Sequence, residues 1–306
     1  MIGITAIGSY IPEGRISNLE RAEKFDTDAG FIENKLGITE VSVAATDERS
    51  SDMCLRALEA LEAKHPLDRD RIQALIVVTQ NPDTRLPHVS SIVHGRLGLR
   101  NDCACFDVSL GCSGWVYALT LVKSLMEASG FSHGLIFTSD PYSKILDPDD
   151  KNTAMLFGDA ATCTLLGEDA LYDIGRWTAN TDGSQGANLA ERDGLLTMNG
   201  RAVFNFCATK VPKDIRLAAE RNEVALEDID RFLFHQGSKF IVDTIAARLK
   251  LPKEKVAFDI HSHGNTVSSS IPLLMEQELE ARSARTILVS GFGVGLSWSS
   301  NVLFRR

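Results

Sequence analysis

Cys112 stands in a segment that could make its thiol reactive. The residue pattern predicts a strand over residues 104–108, then a Gly-Cys-Ser-Gly turn, then a buried helix over residues 113–128 that stops at Gly130. The amino-terminal end of a helix favours a thiolate, so we expect the pKa of Cys112 to lie below the ~8.5 of free cysteine. Such a thiolate can accept an acyl group, whereas most buried cysteines only fill a core.

Two polar segments later in the chain could supply partners for this thiol. His235 follows a predicted strand over residues 231–234, and Asn265 follows one over residues 255–259. A neutral imidazole and a carboxamide each offer an N–H to the carbonyl oxygen of a malonyl-type thioester, where negative charge develops as carbon dioxide leaves. A hydrolytic cysteine–histidine pair would not require Asn265. We therefore predict acyl transfer to Cys112 followed by a decarboxylative Claisen condensation.

A glycine-rich segment, residues 290–298, completes the predicted site. It does not fit a dinucleotide-binding loop, because a strand rather than a helix follows it. Glycines allow a backbone to approach a ligand closely, which places Phe292 and Gly293 beside the substrate. We expect the backbone N–H groups of Cys112 and Val294 to form an oxyanion hole for the acyl carbonyl.

The cysteines and histidines do not predict a metal site. The six cysteines include no Cys-x-x-Cys pair, and Cys103 and Cys105 are expected on two faces of one strand. His261 and His263 have no carboxylate or cysteine at ligand spacing. We therefore expect neither a disulfide framework nor a bound metal.

The chain repeats itself once, at an offset of 152 residues. The matching segments are residues 96–99 with 248–251, 106–108 with 258–260, and 135–138 with 287–290. The repeat predicts two similar α/β halves, residues 1–168 and residues 169–306, packed together. It also makes the Asn265 loop the counterpart of the Cys112 loop, so both should approach one central cavity together with His235.

Each half alternates helices with strands. The predicted helices cover residues 52–63, 90–97, 113–128, 212–222, 238–249 and 269–281. The predicted strands cover residues 74–79, 104–108, 134–138, 231–234, 255–259 and 286–290. This alternation implies sheets with helices on their faces and catalytic groups at the strand ends.

Composition is that of an ordinary globular protein. The 306 residues are 44% hydrophobic, and the formal net charge of −9 argues against general nucleic-acid binding. No apolar run is long enough to span a bilayer, and the amino terminus lacks the pattern of a secretory signal. We therefore expect a cytoplasmic protein that binds neither nucleic acid nor membrane.

These motifs together resemble the β-ketoacyl-acyl-carrier-protein synthase III family of the thiolase fold. The resemblance is carried by residues 8–12, 37–38, 106–119, 157–160, 235–236, 263–266 and 292–298. It implies a five-layered αβαβα sandwich of two duplicated halves, a homodimer, and a role in fatty acid or in polyketide or other secondary metabolite biosynthesis. The implied substrates are an acyl-coenzyme A or acyl-carrier-protein donor and malonyl-acyl-carrier protein, with no separate cofactor. Cys112 would be the nucleophile, and His235 and Asn265 would serve decarboxylation.

Several positions depart from the usual family pattern. Gly237 and Ser238 replace an Ala-Asn pair, and Ser238 is expected to cap the helix that follows. By resemblance, Phe31 and Lys151 match the residues that sandwich the adenine of coenzyme A. Leu86 matches the residue that reaches across the dimer interface and forms the bottom of the acyl pocket in the partner subunit. These differences suggest a specialised branch whose acyl donor need not be acetyl-coenzyme A.

A basic cluster interrupts this acidic chain and could receive an acidic carrier protein, although a solvated helix face is the alternative. Its members are Lys210, Lys213, Arg216, Lys239, Arg248, Lys250 and Lys253. Two other functions also stay open. The protein could pass an acyl group from Cys112 to an alcohol or amine of a secondary metabolite, which releases no carbon dioxide. It could also be a non-catalytic subunit of a heteromeric synthase, in which case Cys112 would not acylate.

Overall fold

The computed structural model describes residues 1–306 and is built around one continuous mixed β-sheet with two similar parts. The strands are β1 (Gly3–Tyr10), β2 (Gly14–Ser17), β3 (Glu40–Val43), β4 (Ile72–Val78), β5 (Ala104–Val108), β6 (His133–Ser139), β7 (Ala161–Gly167), β8 (Tyr172–Ile174), β9 (Asn180–Thr181), β10 (Leu189–Arg192), β11 (Leu195–Met198), β12 (Arg231–Phe234), β13 (Thr286–Gly293) and β14 (Ser297–Arg305). The α-helices are α1 (Ala29–Phe31), α2 (Ser50–Lys64), α3 (Val89–Leu97), α4 (Gly114–Ser129), α5 (Lys151–Ala154), α6 (Gly200–Arg221), α7 (Lys239–Leu249) and α8 (Ser270–Ala281).

The two parts of the sheet have the same strand order. It runs β1-β7-β6-β4-β5 in the first part and β8-β14-β13-β12 in the second. In each part the first two pairings are antiparallel and the third is parallel. Strands β1 and β8 pair where the parts join. The sequence repeat therefore corresponds to a repeated topology, and the predicted division at residue 168 falls between β7 and β8.

The three largest apolar cores fill the four interfaces between five layers of secondary structure. Helices α4 and α8 lie between the two parts of the sheet, where Leu119 and Leu274 share a core with strand residues from both halves. Helices α2 and α3 cover the outer face of the first part through residues such as Leu58 and Val93. Helices α6 and α7 cover the outer face of the second part. The predicted five-layered αβαβα sandwich is thus confirmed.

Helix α4 shows how the sequence builds the middle layer. Its buried residues recur at helical spacing, from Trp115 through Leu119 and Val122 to Met126, so one broad apolar face meets the sheets. Gly130 ends the helix with a φ angle of 69°, a left-handed conformation that costs glycine nothing. Its N–H donates to the Met126 carbonyl, which satisfies one of the last carbonyls of the helix.

Helix α6 begins twelve residues earlier than the predicted start at residue 212. Pro212 suggests a first helical turn, but it lies inside a helix that starts at Gly200, where the Asn199 side chain accepts from the Ala202 N–H. Buried residues continue on both sides of Pro212, so packing outweighs the ~3 kcal/mol that an internal proline costs. Neither α6 nor any other helix has the length and apolar composition needed to cross a membrane.

The strand predicted over residues 255–259 does not form. Only Val256 makes a bridge to Phe232 of β12. Beyond that point the side-chain amide of Gln236 takes the place of a neighbouring strand, because its Nε2 donates to the Ala257 carbonyl and its Oε1 accepts from the Asp259 N–H. A side chain therefore satisfies backbone groups that the sequence pattern assigns to a sheet.

The placement predicted for Cys103 and Cys105 is also wrong. Their sulfur atoms lie 3.9 Å apart on one face of the chain rather than on two. The reason is the two-residue period of extended backbone, which points residues i and i+2 the same way.

Replacing Leu119 should test the middle layer. Leu119→Ala removes a fully buried side chain of α4, and we expect the free energy of unfolding to fall by about 2–5 kcal/mol. Leu121→Ala is the matched control on the same helix, since Leu121 is 39% exposed and should change that free energy by no more than about 0.5 kcal/mol. Denaturant unfolding at one protein concentration measures both, and equal losses would contradict the layer assignment.

Candidate active site

Cys112 lies in a tight turn between the end of β5 and the start of α4. The Gly114 N–H donates to the Gly111 carbonyl at 2.7 Å, which closes the turn. The side chain of Cys112 is only 4% exposed. The end of β13 approaches it so closely that a Cβ atom on Gly293 would lie 2.9 Å from the Cys112 sulfur. Glycine at that position is therefore required by contact with Cys112.

The expected lowering of the Cys112 pKa is wrong. Burial raises the pKa of this thiol, and the nearby Asp140 carboxylate and Cys207 raise it further. The position before α4 still favours negative charge, but desolvation is the larger effect. Because Asp140 is itself buried, its own pKa rises to about 6 even though it accepts from the Gln80 N–H at 2.7 Å.

His235 follows β12 and is held as a neutral imidazole. Burial lowers its pKa to about 3. Its Nδ1 lies 2.8 Å from the Ser270 hydroxyl, and its ring packs edge-on against Phe292 at 5.5 Å between centroids. The Ser270 hydroxyl also lies 3.1 Å from the Val267 carbonyl, which can only accept, so its single hydrogen goes either to that carbonyl or to Nδ1. In the tautomer in which Nδ1 accepts from Ser270, the imidazole hydrogen resides on Nε2 and can be donated.

Asn265 lies in the loop before α8 with its amide oriented by the backbone. Its Oδ1 accepts from the Val267 N–H at 3.0 Å, so Nδ2 is the end left to donate elsewhere. Its own N–H donates to the Leu156 carbonyl at 2.8 Å. Val267 has a φ angle of 52°, a strained conformation for a β-branched residue. That strain is located at the residue that fixes the Asn265 side chain.

One narrow, mostly apolar cavity of about 40 Å³ brings the predicted residues together. Its lining includes Cys112, His235, Asn265, Phe292, Gly293 and Val294. The two halves thus contribute to one site, as the repeat suggested. The apolar lining keeps the dielectric constant low around the two N–H donors, which strengthens their interaction with a developing negative charge.

Cys112 and Val294, whose backbone N–H groups are the predicted oxyanion hole, both line this cavity. Neither donates to another backbone group among the turns and loops. Ser297 holds the two segments together, because its hydroxyl donates to the Val294 carbonyl at 2.8 Å and lies 2.7 Å from the Ser113 hydroxyl.

A wider cavity of about 330 Å³ continues from the inner one to the surface. The two share five lining residues: Leu156, Met198, Val203, Gly237 and Ile241. Phe31 and Lys151 lie at the outer mouth, with the Lys151 Nζ 5.3 Å from the centre of the Phe31 ring. Ser238 lines the same cavity and caps α7, since its hydroxyl accepts from the Ile241 N–H.

Other predicted binding residues lie outside both cavities. Leu86 is 87% exposed and does not line the cavity at Cys112 of its own chain. The basic residues lie on α6 and at α7, two helices that pack against each other beside the wider cavity. Lys210, Lys213 and Arg216 are exposed on α6. Lys239 pairs with Asp243 at 2.5 Å, whereas Arg248, Lys250 and Lys253 are exposed.

The sequence interpretation missed several lining residues. Tyr142 lies on the inner cavity, and its hydroxyl donates to Gln80 Oε1 at 2.8 Å. Phe204 and Phe240 stack at 5.0 Å on the wall of the wider cavity, and the Lys35 ammonium lies 4.5 Å from the Phe240 ring centre. No local pattern marks these residues, although an exposed aromatic near a helix start, as at Phe240, is a weak signal of binding.

Comparison with known proteins agrees with this site. The model of 3-oxoacyl-[acyl-carrier-protein] synthase III matches residues 106–183, and the model of the carboxy-terminal part of that enzyme matches residues 219–304. A β-ketoacyl-[acyl-carrier-protein] synthase III of Streptococcus equi subsp. equi is 32% identical over 98% of both chains.

Solved structures agree with the sequence matches. The β-ketoacyl-[acyl-carrier-protein] synthase III of Thermus thermophilus superposes with a TM-score of 0.93 at 33% identity and 99% coverage of both chains. The priming β-ketosynthase of the R1128 polyketide pathway gives a TM-score of 0.91 at 26% identity, covering 100% of this chain and 96% of that one. The chain belongs to the 3-oxoacyl-[acyl-carrier-protein] synthase III family.

Proposed function

We propose that this protein is an acyltransferase that carries out a decarboxylative Claisen condensation. Cys112 takes an acyl group from acyl-coenzyme A or an acyl-carrier protein, and the acyl group then joins a malonyl thioester, with malonyl-acyl-carrier protein as the expected extender. The observation that carries this proposal is one mostly apolar cavity lined by the Cys112 thiol, by the His235 imidazole, which burial keeps neutral, and by the Asn265 carboxamide.

The first half-reaction transfers the acyl group between sulfur atoms. The Cys112 sulfur bonds to the acyl carbon, the bond from that carbon to the donor sulfur breaks, and the thiol proton leaves with the released coenzyme A or phosphopantetheine thiol. The free N–H groups of Cys112 and Val294 are suited to stabilise the oxyanion of the tetrahedral intermediate. Because burial raises the pKa of Cys112, forming its thiolate costs free energy, and this cost adds to the activation barrier of acyl transfer.

The second half-reaction forms the carbon–carbon bond. The malonyl thioester loses carbon dioxide, and the electron pair moves into an enolate whose oxygen accepts from His235 Nε2 and Asn265 Nδ2. The enolate carbon then attacks the acyl carbonyl and expels the Cys112 sulfur as a thiolate, which takes up a proton from solvent, and the product is a β-ketoacyl thioester. Both half-reactions balance without a resident metal or organic cofactor, so we propose that the thioester carriers bind only as substrates.

The size of the inner cavity supports a short acyl group. Its volume of about 40 Å³ is a few times the ~10–15 Å³ that a cavity needs, on the same measure, to hold one water molecule. Tyr142 and Phe157 lie on its wall, 5.2 Å apart between ring centres, and the Tyr142–Gln80 hydrogen bond fixes the Tyr142 ring. Beyond Gln80 lies a polar cleft of about 480 Å³. Tyr142 is therefore a barrier between the acyl site and a larger space.

The outer cavity and its surroundings support binding of the thioester carriers. Phe31 with Lys151 and the Phe204–Phe240 stack offer flat apolar surfaces with a cation nearby, which suits an adenine ring. We assign carrier-protein docking to the basic residues Lys210, Lys213 and Arg216 on α6 and Lys239, Arg248 and Lys250 at α7, because these two helices flank the wider cavity.

We also propose that two copies form a homodimer. Strand β5 pairs only with β4, so its other edge is open, and Phe106 on it is 37% exposed. Leu86 is the most exposed leucine of the chain. An open edge strand and a protruding apolar side chain favour association with another protein surface, and the family resemblance implies that Leu86 reaches the acyl pocket of a second copy.

Acylation of Cys112 is the first test. Intact-protein mass spectrometry after mixing with acyl-coenzyme A and acyl-carrier-protein donors should show one acyl adduct, absent in Cys112→Ala. Because the raised pKa leaves the thiolate a minor species below that pKa, the adduct should form faster as pH rises from 6 to 9. Absence of an adduct from every donor would favour a non-catalytic subunit.

Loss of either N–H donor should separate decarboxylation from acylation. For Asn265→Ala and for His235→Ala we expect carbon dioxide release from malonyl-acyl-carrier protein to fall roughly 10²–10³-fold, with Cys112 still acylated. The exposed Asn101→Ala is the control and should retain the full rate.

The pH dependence tests the protonation state of His235. With a folded pKa of about 3, His235 is neutral above that pH, so decarboxylation should not decline between pH 8 and pH 5 on its account. A decline centred near pH 6.5 that disappears in His235→Gln would contradict a neutral donor. An enzyme that acylates but releases no carbon dioxide would instead transfer acyl groups to another nucleophile.

Opening the wall at Tyr142 should admit longer acyl groups. Tyr142→Leu removes the ring and its hydrogen bond to Gln80, and we expect the ratio of octanoyl to acetyl acylation of Cys112 to rise roughly tenfold or more. Tyr142→Phe keeps the ring and should leave this ratio within about threefold, which serves as the control. Competition between the two coenzyme A esters, read by mass spectrometry, measures it. An unchanged ratio in Tyr142→Leu would place the chain-length barrier elsewhere.

A further inference from the structure

Three potential metal ligands lie together outside the active site. One ring nitrogen of His94 and the sulfur atoms of Cys103 and Cys105 all lie within 4.8 Å of one another. All three residues are half-buried in the single chain. Neither the proposed reaction nor the cavities near Cys112 use these side chains.

The turn between α3 and β5 brings the three residues together. Helix α3 ends at Gly98, whose φ angle of 63° turns the chain back, and the Leu99 N–H donates to the His94 carbonyl. The chain then enters β5 with Cys103 and Cys105 on the face that α3 covers, because both pack against the same core as Val93 of that helix. His94 is thereby held above the two sulfur atoms.

The spacing of the two sulfur atoms fits a tetrahedral zinc ion. Two thiolates bound to zinc at about 2.3 Å each lie roughly 3.8 Å apart in tetrahedral geometry, and the Cys103 and Cys105 sulfur atoms are 3.9 Å apart. The Nε2 atom of His94 lies 3.0 Å from the Arg100 carbonyl. Such a contact commonly orients a metal-binding imidazole through its second nitrogen.

A disulfide between the two cysteines fits this geometry less well. Cys103 and Cys105 are two residues apart in extended chain, so their Cα atoms are separated by about 6.6 Å, twice the rise of a strand residue. That lies near the upper end of the roughly 4.4–6.8 Å range for disulfides, whose commonest Cα separation is about 5.5–6 Å. A bridging ion requires no such approach of the backbone.

We propose that His94, Cys103 and Cys105 form a binding site for Zn²⁺, with the fourth coordination position left for a ligand other than these three residues. Binding forms two zinc–sulfur bonds and one zinc–nitrogen bond and releases the remaining thiol protons to solvent. No oxidant or reductant is needed. The ion would join the end of α3 to the start of β5, so its expected effect is to stabilise the folded chain.

Titration of the metal-free full-length protein with Co²⁺ tests the site. Cobalt reports thiolate ligation through sulfur-to-metal charge-transfer absorption, and we expect one equivalent per chain, displaced by one equivalent of Zn²⁺. Cys103→Ser and Cys105→Ser should each weaken that absorption by about half or more, and His94→Gln should weaken metal affinity at least about tenfold. His88→Gln, an exposed histidine before the same helix, and Cys112→Ala should bind as the unmodified protein does.

If a variant does not fold, two measurements on the unmodified protein still test the proposed zinc site. X-ray absorption of the zinc-loaded protein should show two sulfur ligands at about 2.3 Å and one nitrogen at about 2.0–2.1 Å, and zinc should raise the Tm by a few degrees. The proposal is overturned if no charge-transfer band forms, if the band is lost in Cys112→Ala, or if the zinc shell contains no sulfur.

Discussion

The backbone of Val267 is the connection on which the geometry of the site depends. Its N–H fixes Asn265 Oδ1, and its carbonyl lies 3.1 Å from the Ser270 hydroxyl, which in turn contacts His235 Nδ1. One peptide segment thus orients both polar side chains of a cavity that is otherwise apolar. Its positive φ angle costs of order 1–3 kcal/mol, which the buried surroundings of Val267 and the start of α8 sustain.

The duplicated topology explains why such a cavity exists between the halves. Helices α4 and α8 occupy equivalent positions in the middle layer, and the loops before them carry Cys112 and Asn265 respectively. The two loops therefore meet near the centre of the molecule, at the mostly apolar cavity. His235 arrives from the end of β12, and Gly293 allows β13 to pass against the Cys112 sulfur. The site is made by packing two similar units, and neither half contains it alone.

Much of this architecture could be predicted from the sequence, because apolar spacing sets α4 and β5 and the repeat relates Asn265 to Cys112. The failures have local causes. The strand predicted at residues 255–259 does not form because the Gln236 side chain binds the backbone groups that a neighbouring strand would bind. The predicted start of α6 is too late in the chain because Pro212 is typical of a first helical turn but lies inside this helix. The pKa of Cys112 depends on how deeply tertiary packing buries it. The positive φ angle of Val267 could not be predicted from its residue type, because a β-branched residue rarely adopts that conformation. The cavity wall at Tyr142 could not be predicted because it is formed by residues far apart in sequence.

The continuity of the two cavities has a kinetic consequence under the proposed function. Both thioester carriers would use the passage lined by Leu156, Met198 and Ile241 to reach Cys112. The first carrier must then leave before the second can enter, which is ping-pong order, and the acylated protein waits between the two events with its thioester shielded from hydrolysis. The same geometry makes each carrier a competitor of the other, so an excess of the malonyl carrier would hold the unacylated protein in a dead-end complex.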